Sequence, residues 1–323
     1  MQAKRQAETG DKVSSLCEFF QHLVNDEFIK WAEKQVAYKP RRGIFSTALI
    51  VWLMIFQRLN PSHTLSRAVA ELKAGKVDKL RGNGKRARED RISGNTGGYS
   101  KARSKLPVEL VRLVAERIFS SLAPPDQAEL VWHGHRIFGV DGSVSDLAPE
   151  SEALRHAFPP GGNQKGRCRT PVVQIVVGHD LVTGAATPPH WGPKYGPAGT
   201  SEQELLHKLI PSLPAGSVIV GDRNFGVFSV THWLHQAGHP VVFRLSIDRV
   251  TRVLGKAPRP GLDEQVVWTA SAHDRRAHPE LTQESPVEGR IIVMHLHKRG
   301  DREPTKLYLL TTLALPAAEI VEL

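Results

Sequence analysis

Two short stretches of this 323-residue chain constrain its fold more than any other feature. In Val218-Ile219-Val220-Gly221-Asp222-Arg223-Asn224-Phe225-Gly226, three apolar β-branched residues run into a glycine and an aspartate. Such a run suits a strand buried on both faces, and the glycine then lets the backbone turn tightly. Arg136-Ile137-Phe138-Gly139-Val140-Asp141-Gly142-Ser143 has the same build. Both are expected to be core strands that surface at an aspartate, Asp141 and Asp222. Held side by side on a rigid sheet, two such carboxylates would form the hard-oxygen donor set that a divalent cation needs for phosphodiester chemistry. Taken singly, each aspartate also has an ordinary reading. Asp-Gly is a common turn pair, and Asp222 fits a loop or helix cap.

Before the first of these stretches the pattern is helical, over residues 13 to about 125. Val13–Val24 and Asp26–Val36 carry apolar residues at helical spacing, and Pro40-Arg41-Arg42-Gly43 interrupts them. The run Phe45 to Phe56 is apolar but too short to span a bilayer, and reads as a buried helix. From Lys73 to Lys105 the composition shifts to eleven Lys/Arg against Asp78, Glu89 and Asp90, with glycines at 82, 84, 94, 97 and 98. This segment is expected to be loose. Its Lys85, Arg86, Arg88, Arg91, Lys101 and Arg103 suit phosphate contacts, and a solvated linker is the plainer alternative. Pro107 to Leu122 reads as an amphipathic helix ended by Pro124-Pro125.

Strand-like texture begins at Val131–Val140. A glycine-rich basic loop follows at 161–167, in which Lys165 and Arg167, like Arg223 later, are candidates to neutralise phosphates. Val172–Val177 and Leu181–Ala186 read as a hairpin turning at Gly178-His179-Asp180, and Pro188–Gly199 as an irregular loop. Ser201-Glu202-Gln203-Glu204 has the capping-box form of a helix start. A strand ending at Asp222, a helix over Val227–Gln236 and a strand over Pro240–Leu245 come next. The order predicts an α/β fold with a mixed sheet and helices on its faces. Residues 246–304, punctuated by Pro258, Pro260, Pro279 and Pro286, read as a polar insertion with strands at Gln265–Trp268 and Arg290–Leu296. Lys306–Thr312 is a further strand, and Pro316 opens a helix that stops after two turns.

A net charge of +10 makes a polyanionic partner plausible. Two cysteines, Cys17 and Cys168, exclude a disulfide framework or a cysteine zinc cluster and suit a reducing cytosol. The start of the chain lacks the apolar core of a secretory signal. His133-Gly134-His135 and His295-Leu296-His297 have no further ligand pair at zinc spacing and read as solvated strand faces. Asp146 and Asp180 read as turn or cap residues, and Glu322 as a solvated side chain.

The order of these features resembles a bacterial insertion-sequence DDE transposase of the insertion-sequence-four type. The likeness lies in Val140-Asp141-Gly142-Ser143, the hairpin, Gly221-Asp222-Arg223-Asn224-Phe225-Gly226, and the final Lys306-Leu307-Tyr308-Leu309-Leu310-Thr311-Thr312 strand. Ile44 to Ala70, and Gly94–Leu106 with Tyr99-Ser100-Lys101-Ala102-Arg103, resemble that family's N-terminal region.

The resemblance implies a helical DNA-binding region over 1–128 and a ribonuclease-H-like core over 129–245, with the Asp141 and Asp222 strands adjacent. It further implies a β-rich insertion over 246–304, then a return strand and the start of a catalytic helix over 305–323. Asp141 and Asp222 would be catalytic ligands of Mg2+, with Mn2+ as an alternative. Trp268 would stack on a displaced base or simply pack. Implied partners are transposon terminal repeats, target DNA and a second copy of the chain in a synaptic complex, in a cytoplasmic, nucleoid-associated setting away from membranes. The family's third acid follows a tyrosine in the last helix, and this chain ends where that tyrosine is expected, so the acid is expected to be missing. Two other functions stay open. One is a non-catalytic DNA-binding protein, a decayed or inhibitory fragment; the other is an unrelated metal-dependent nuclease with its third ligand elsewhere.

Overall fold

The computed structural model describes residues 15–323 apart from 42, 90, 125–130, 149–150, 164–165, 168–169, 282–284 and 297–304, and of Arg86, Asn163, Gly166 and Arg167 the backbone alone. Lys165, Cys168 and His297 therefore lie outside the described residues, as do the side chains of Arg86 and Arg167. The chain divides into two compact units, Met1–Leu122 and Ala123–Leu323.

The first unit is helical: α1 (residues 15–23), α2 (Asp26–Gln35), α3 (Thr47–Leu59), α4 (Leu65–Lys73), α5 (Lys85–Arg88), α6 (Gly97–Arg103) and α7 (Val108–Leu122). Its starts follow the capping chemistry of the sequence, with Asn25, Ser46 and Thr64 each accepting from a backbone amide three residues on. Helix α3 is apolar nearly all round because it runs through the core, where Leu49, Trp52 and Leu53 are buried. The basic segment 73–105 is more ordered than its glycines suggest. It holds α5 and α6, and Tyr99 is fully buried with its hydroxyl donating to Gln57 Oε1 at 2.8 Å. Gly84 is a place of close chain crossing, since a Cβ there would come within 2.9 Å of Gly43 Cα. Glycine serves proximity here, and looseness does not follow from it.

The second unit contains β1 (Ile137–Asp146), α8 (Glu152–Ala157), β2 (Gly162–Asn163), β3 (Gly166–Arg167), β4 (Val172–Asp180), β5 (His190–Pro193), α9 (Glu202–Leu209), β6 (Val218–Gly221), α10 (Phe228–Gln236), β7 (Val241–Arg244), α11 (Ile247–Leu254), β8 (Asp263–Trp268), α12 (Ala272–Ala277), β9 (Val287–Leu296), β10 (Thr305–Thr311) and α13 (Ala317–Glu322). Eight strands form one sheet in the order β5-β4-β1-β6-β7-β10-β9-β8, and β2 pairs with β3 apart from it. Strands β1, β6 and β7 are mutually parallel; the other neighbours are antiparallel. The sheet is thus mixed, with helices between its strands in sequence. Segment 246–304 contributes β8 and β9, which extend this same sheet beyond β10.

Three local expectations are corrected. Strand β1 begins later than Val131 and runs on past Asp141, because β4 offers it a ladder from Phe138↔Asp180 to Asp146↔Val172. Asp141-Gly142 is consequently not a turn; what stops near it is the parallel ladder to β6. Secondly, Gly178-His179-Asp180 belongs to β4, and the chain turns just after it. Asp180 is fully buried in an ion pair with Arg136, and its Oδ1 caps the turn by accepting from Val182 N at 2.9 Å and Thr183 N at 3.0 Å. Finally, the proline-rich stretch 188–199 supplies β5, an edge strand, where a proline without an N–H is tolerated.

Register and alternation assign the faces of the sheet. Ile137↔Val218 and Gly139↔Val220 share one face, while Phe138↔Ile219 and Val140↔Gly221 share the other. The first face carries a core of Val218, Val242, Ile292, Leu309 and Leu313 into which α13 inserts the buried Ile320. Among the described residues, no helix is long and apolar enough to cross a membrane.

Candidate functional site

Asp141 and Asp222 each stand one residue beyond Val140↔Gly221, the last pair of the parallel ladder. Continuing the alternation puts both on the face of Val218 and Val220, the face on which α13 packs. Both are exposed. Oδ1 of Asp141 accepts from Gly142 N at 2.9 Å, and Oδ1 of Asp222 from Asn224 N at 2.8 Å. Among the described residues neither carboxylate is in an ion pair, and neither Oδ2 has a hydrogen-bond partner. An exposed pair of carboxylates with free oxygens fits a hard cation such as Mg2+, which keeps several waters and needs few protein ligands. Among the described residues, no group of three or more His, Cys, Asp or Glu is placed to hold a metal ion.

The turn that carries Asp222 is tightly specified by its sequence. Gly221 is small because a Cβ there would come within 3.0 Å of Phe243 Cε1 and 3.2 Å of Val140 Cγ2. Phe225 is buried and anchors the turn, and at Gly226 a Cβ would meet Arg244 O at 2.6 Å. The amides of Phe225 and Gly226 both donate to Asp222 O at 3.2 Å. From α11, Arg249 Nη1 donates to Arg223 O at 3.0 Å and Gly226 O at 2.6 Å. Burial, followed by the charge of Arg252, lowers the Arg249 pKa from its usual value.

Glu202, at the start of α9, escaped the sequence reading. It stood inside a capping box whose partners are Ser201 and Glu204, so it read as one more acidic residue of a first helical turn. In the structure its Oε1 accepts from Gln174 Nε2 at 2.8 Å and its Oε2 accepts from Asn224 Nδ2. It also lies over Gly142, where a Cβ would come within 2.6 Å of Glu202 Cγ and Oε1. The available signal was the glycine after Asp141, a residue that permits a neighbour at close range.

The remaining candidates are dispersed. Lys85, Arg88, Arg91, Lys101 and Arg103 are exposed in the first unit, with Lys85 at 4.0 Å and Arg91 at 3.3 Å from Glu89. Arg223 is exposed beside Asp222. Trp268 packs edge-on against Phe228, centroids 5.6 Å apart, and also lines an open cleft of about 550 Å³ with Arg249, Arg252 and His273. Asp146 accepts from Thr170 Oγ1 at 3.1 Å. His133 Nε2 pairs with Glu319 Oε2 at 2.6 Å, His135 Nδ1 bonds Gly216 O at 2.9 Å, and Glu322 is exposed. The first histidine pair thus lies in the tight turn closed by Trp132↔His135, not on a strand face, and is held by partners far along the chain.

No family model and no curated protein matches the sequence. Among solved structures, the chain is similar to a piggyBac transposase in a synaptic complex with hairpin DNA, with a TM-score of 0.39 and 13% identity. The similarity covers 94% of this chain, which spans 62% of that one.

Proposed function

We propose that this chain is a DDE transposase of the bacterial insertion-sequence-four type, with a ribonuclease-H-like core in its second unit. The observation that carries the reading is the parallel pairing of β1 with β6, which ends at Val140↔Gly221 and brings Asp141 and Asp222 out together on one face. Adjacency of these two strands is what the sequence resemblance requires of the core. The position of α13 on the same face supports it too, since the resemblance assigns the third acid to that helix.

In this reading Asp141 and Asp222 hold Mg2+ or Mn2+ through their free oxygens. The bound cation supplies Lewis-acid polarisation of a scissile phosphodiester. Arg223, exposed beside Asp222, contacts a neighbouring phosphate, as do the exposed Lys85, Arg88, Arg91, Lys101 and Arg103 of the helical unit. Trp268, with Arg249 and Arg252 in its cleft, receives an unpaired base or a phosphate of the same strand. Terminal-repeat DNA and target DNA are the partners, and a second copy of the chain completes a synaptic complex.

The test is nicking of terminal-repeat DNA by the purified chain in Mg2+ or Mn2+. With no third acid placed beside the pair among the described residues, cleavage is expected to be weak, and what there is should disappear in both Asp141→Asn and Asp222→Asn. Cleavage that survives either change would place the chemistry elsewhere, and salt-sensitive DNA binding with no cleavage would favour the non-catalytic alternative.

A further inference from the structure

The polar residues behind the two aspartates form a connection that the sheet itself does not provide. Beyond Val140↔Gly221, strand β6 ends while β1 continues, so no backbone ladder ties the Asp222 turn to the Asp141 segment. A side-chain path takes its place. Asn224 Nδ2 donates to Glu202 Oε2; Gln174 Nε2 donates to Glu202 Oε1 at 2.8 Å and to Ser143 O at 3.2 Å. Asn224 is two residues after Asp222, and Ser143 two residues after Asp141. Gln203 Nε2 adds a bond to Asn224 Oδ1 at 2.9 Å from the same helical turn.

The donor pattern fixes the orientation of each group. Gln174 is fully buried, and its Oε1 accepts from Lys194 Nζ, which can only donate. Its Nε2 must therefore face Glu202, whose ionised carboxylate can only accept. Asn224 is fixed in the same way, its Oδ1 to Gln203 and its Nδ2 to Glu202. No other side chain of similar length accepts on both branches. Glutamine at 202 would confront one of the two amides with a second donor.

We propose that Glu202 is a positioning residue that fixes the spacing of Asp141 and Asp222, and through it the affinity of that pair for a divalent cation. The proposal rests on the two-aspartate site put forward above. Glu202 is not itself a ligand. Val144↔Gln174 and Gly142↔Val176 put Gly142 and Gln174 on the face opposite Asp141. It works from behind the sheet, gripping the chain on either side of the site.

The experiment titrates the whole 323-residue chain with Mn2+, followed by electron paramagnetic resonance of the free ion, with Mg2+ as competitor and thermal unfolding run alongside. Residues that hold metal ligands in place typically change metal affinity by about 10–100-fold when removed. Glu202→Ala and Asn224→Ala are each expected to weaken Mn2+ binding by about tenfold, with the double variant no weaker than the worse single one. Asp141→Asn and Asp222→Asn should abolish binding. Where Glu202→Ala fails to fold, Glu202→Gln keeps the shape and should show the same loss. Wild-type affinity in the Glu202 and Asn224 variants, with binding lost in the aspartate variants, overturns the positioning role and leaves the site standing. Weakening in Glu202→Ala alone assigns the effect to lost charge and also overturns it. Failure of the wild type to bind Mn2+, or unchanged binding in the aspartate variants, refutes the site and the positioning role together.

Discussion

Alanine at position 142 tests the packing on which the connection behind the aspartates depends. In an ordinary strand, replacing glycine by alanine stabilises by about 0.5–1 kcal/mol, because glycine loses more backbone freedom on folding. Here the new Cβ would lie within 2.6 Å of Glu202 Cγ and Oε1, a separation that non-bonded carbons do not adopt. The obstacle is the end of a flexible side chain, so Glu202 gives way before the strand does. Moving it sacrifices the bonds from Gln174 and Asn224 to a charged acceptor, each worth about 1.5–3 kcal/mol. Glu202 is partly exposed, and water recovers some of that loss. A net destabilisation of about 1–2 kcal/mol remains, or roughly 3–6 °C in Tm for a unit of this size.

In a Glu202→Ala background there is nothing for the Cβ to strike, so Gly142→Ala should be neutral or raise Tm by about 1–3 °C. Calorimetric melts of wild type, both single variants and the double variant measure this sign reversal. If Gly142→Ala is equally destabilising in both backgrounds, its cost lies in the strand backbone. If it stabilises the wild type, the close approach of Glu202 is wrong.

Other expectations concern the supports around the site and the helical unit. Asp180→Asn leaves the Arg136 guanidinium buried without its counter-charge and should destabilise by about 3–5 kcal/mol in urea titration. Burial pushes the Asp180 carboxyl up, but the amides of Thr183 and Val182 and the Arg136 guanidinium outweigh it and hold its pKa below 3.8. Its contribution is therefore complete above about pH 4 and is lost as pH falls through the lowered folded value, so the wild-type urea midpoint should fall more steeply in acid than that of Asp180→Asn. Arg249→Ala removes two bonds to the Asp222 turn, and amide exchange at Phe225 and Gly226 should accelerate at least about tenfold while Tm changes little. Replacing Lys85, Arg88, Lys101 and Arg103 by alanine should reduce the slope of log K against log salt for duplex DNA by about 0.9 for each phosphate no longer neutralised, measured by fluorescence anisotropy. An unchanged slope would remove these residues from the DNA footprint.

The longer helices of the first unit and most strands of the second were legible because each is specified locally, by apolar period and, at Ser201, by a capping box. What escaped was specified at a distance. Asp180 looks like a turn residue until Arg136, 44 positions earlier, neutralises it in the core. Gly82 and Gly84 look like flexible points until Gly43 crosses them. Glu202 has partners 22 and 28 residues away, on a loop and a strand that no local pattern connects to α9. Strand β5 escaped for a different reason: at an edge, its Pro193 is no obstacle, so the usual evidence against a strand lost its force.

The pairing of the aspartates depends on register, and the sequence specifies the register in a way that only the structure makes visible. A slip of one residue between β1 and β6 would carry Asp222 to the opposite face from Asp141, because side chains alternate with a period of two. The apolar run Val218-Ile219-Val220 resists such a slip only weakly, since its residues are similar in shape and both faces of the strand are covered. Gly221 resists it strongly. Phe243 and the Val140 methyl fill the space its missing side chain leaves, at 3.0 and 3.2 Å from where a Cβ would stand. In a one-residue slip Val220 or Asp222 would have to enter that space, and overpacking of this kind costs about 1–3 kcal/mol. The glycine before Asp222 therefore does more than permit a turn: it locks the strand pair in the one alignment that brings the two carboxylates to the same side.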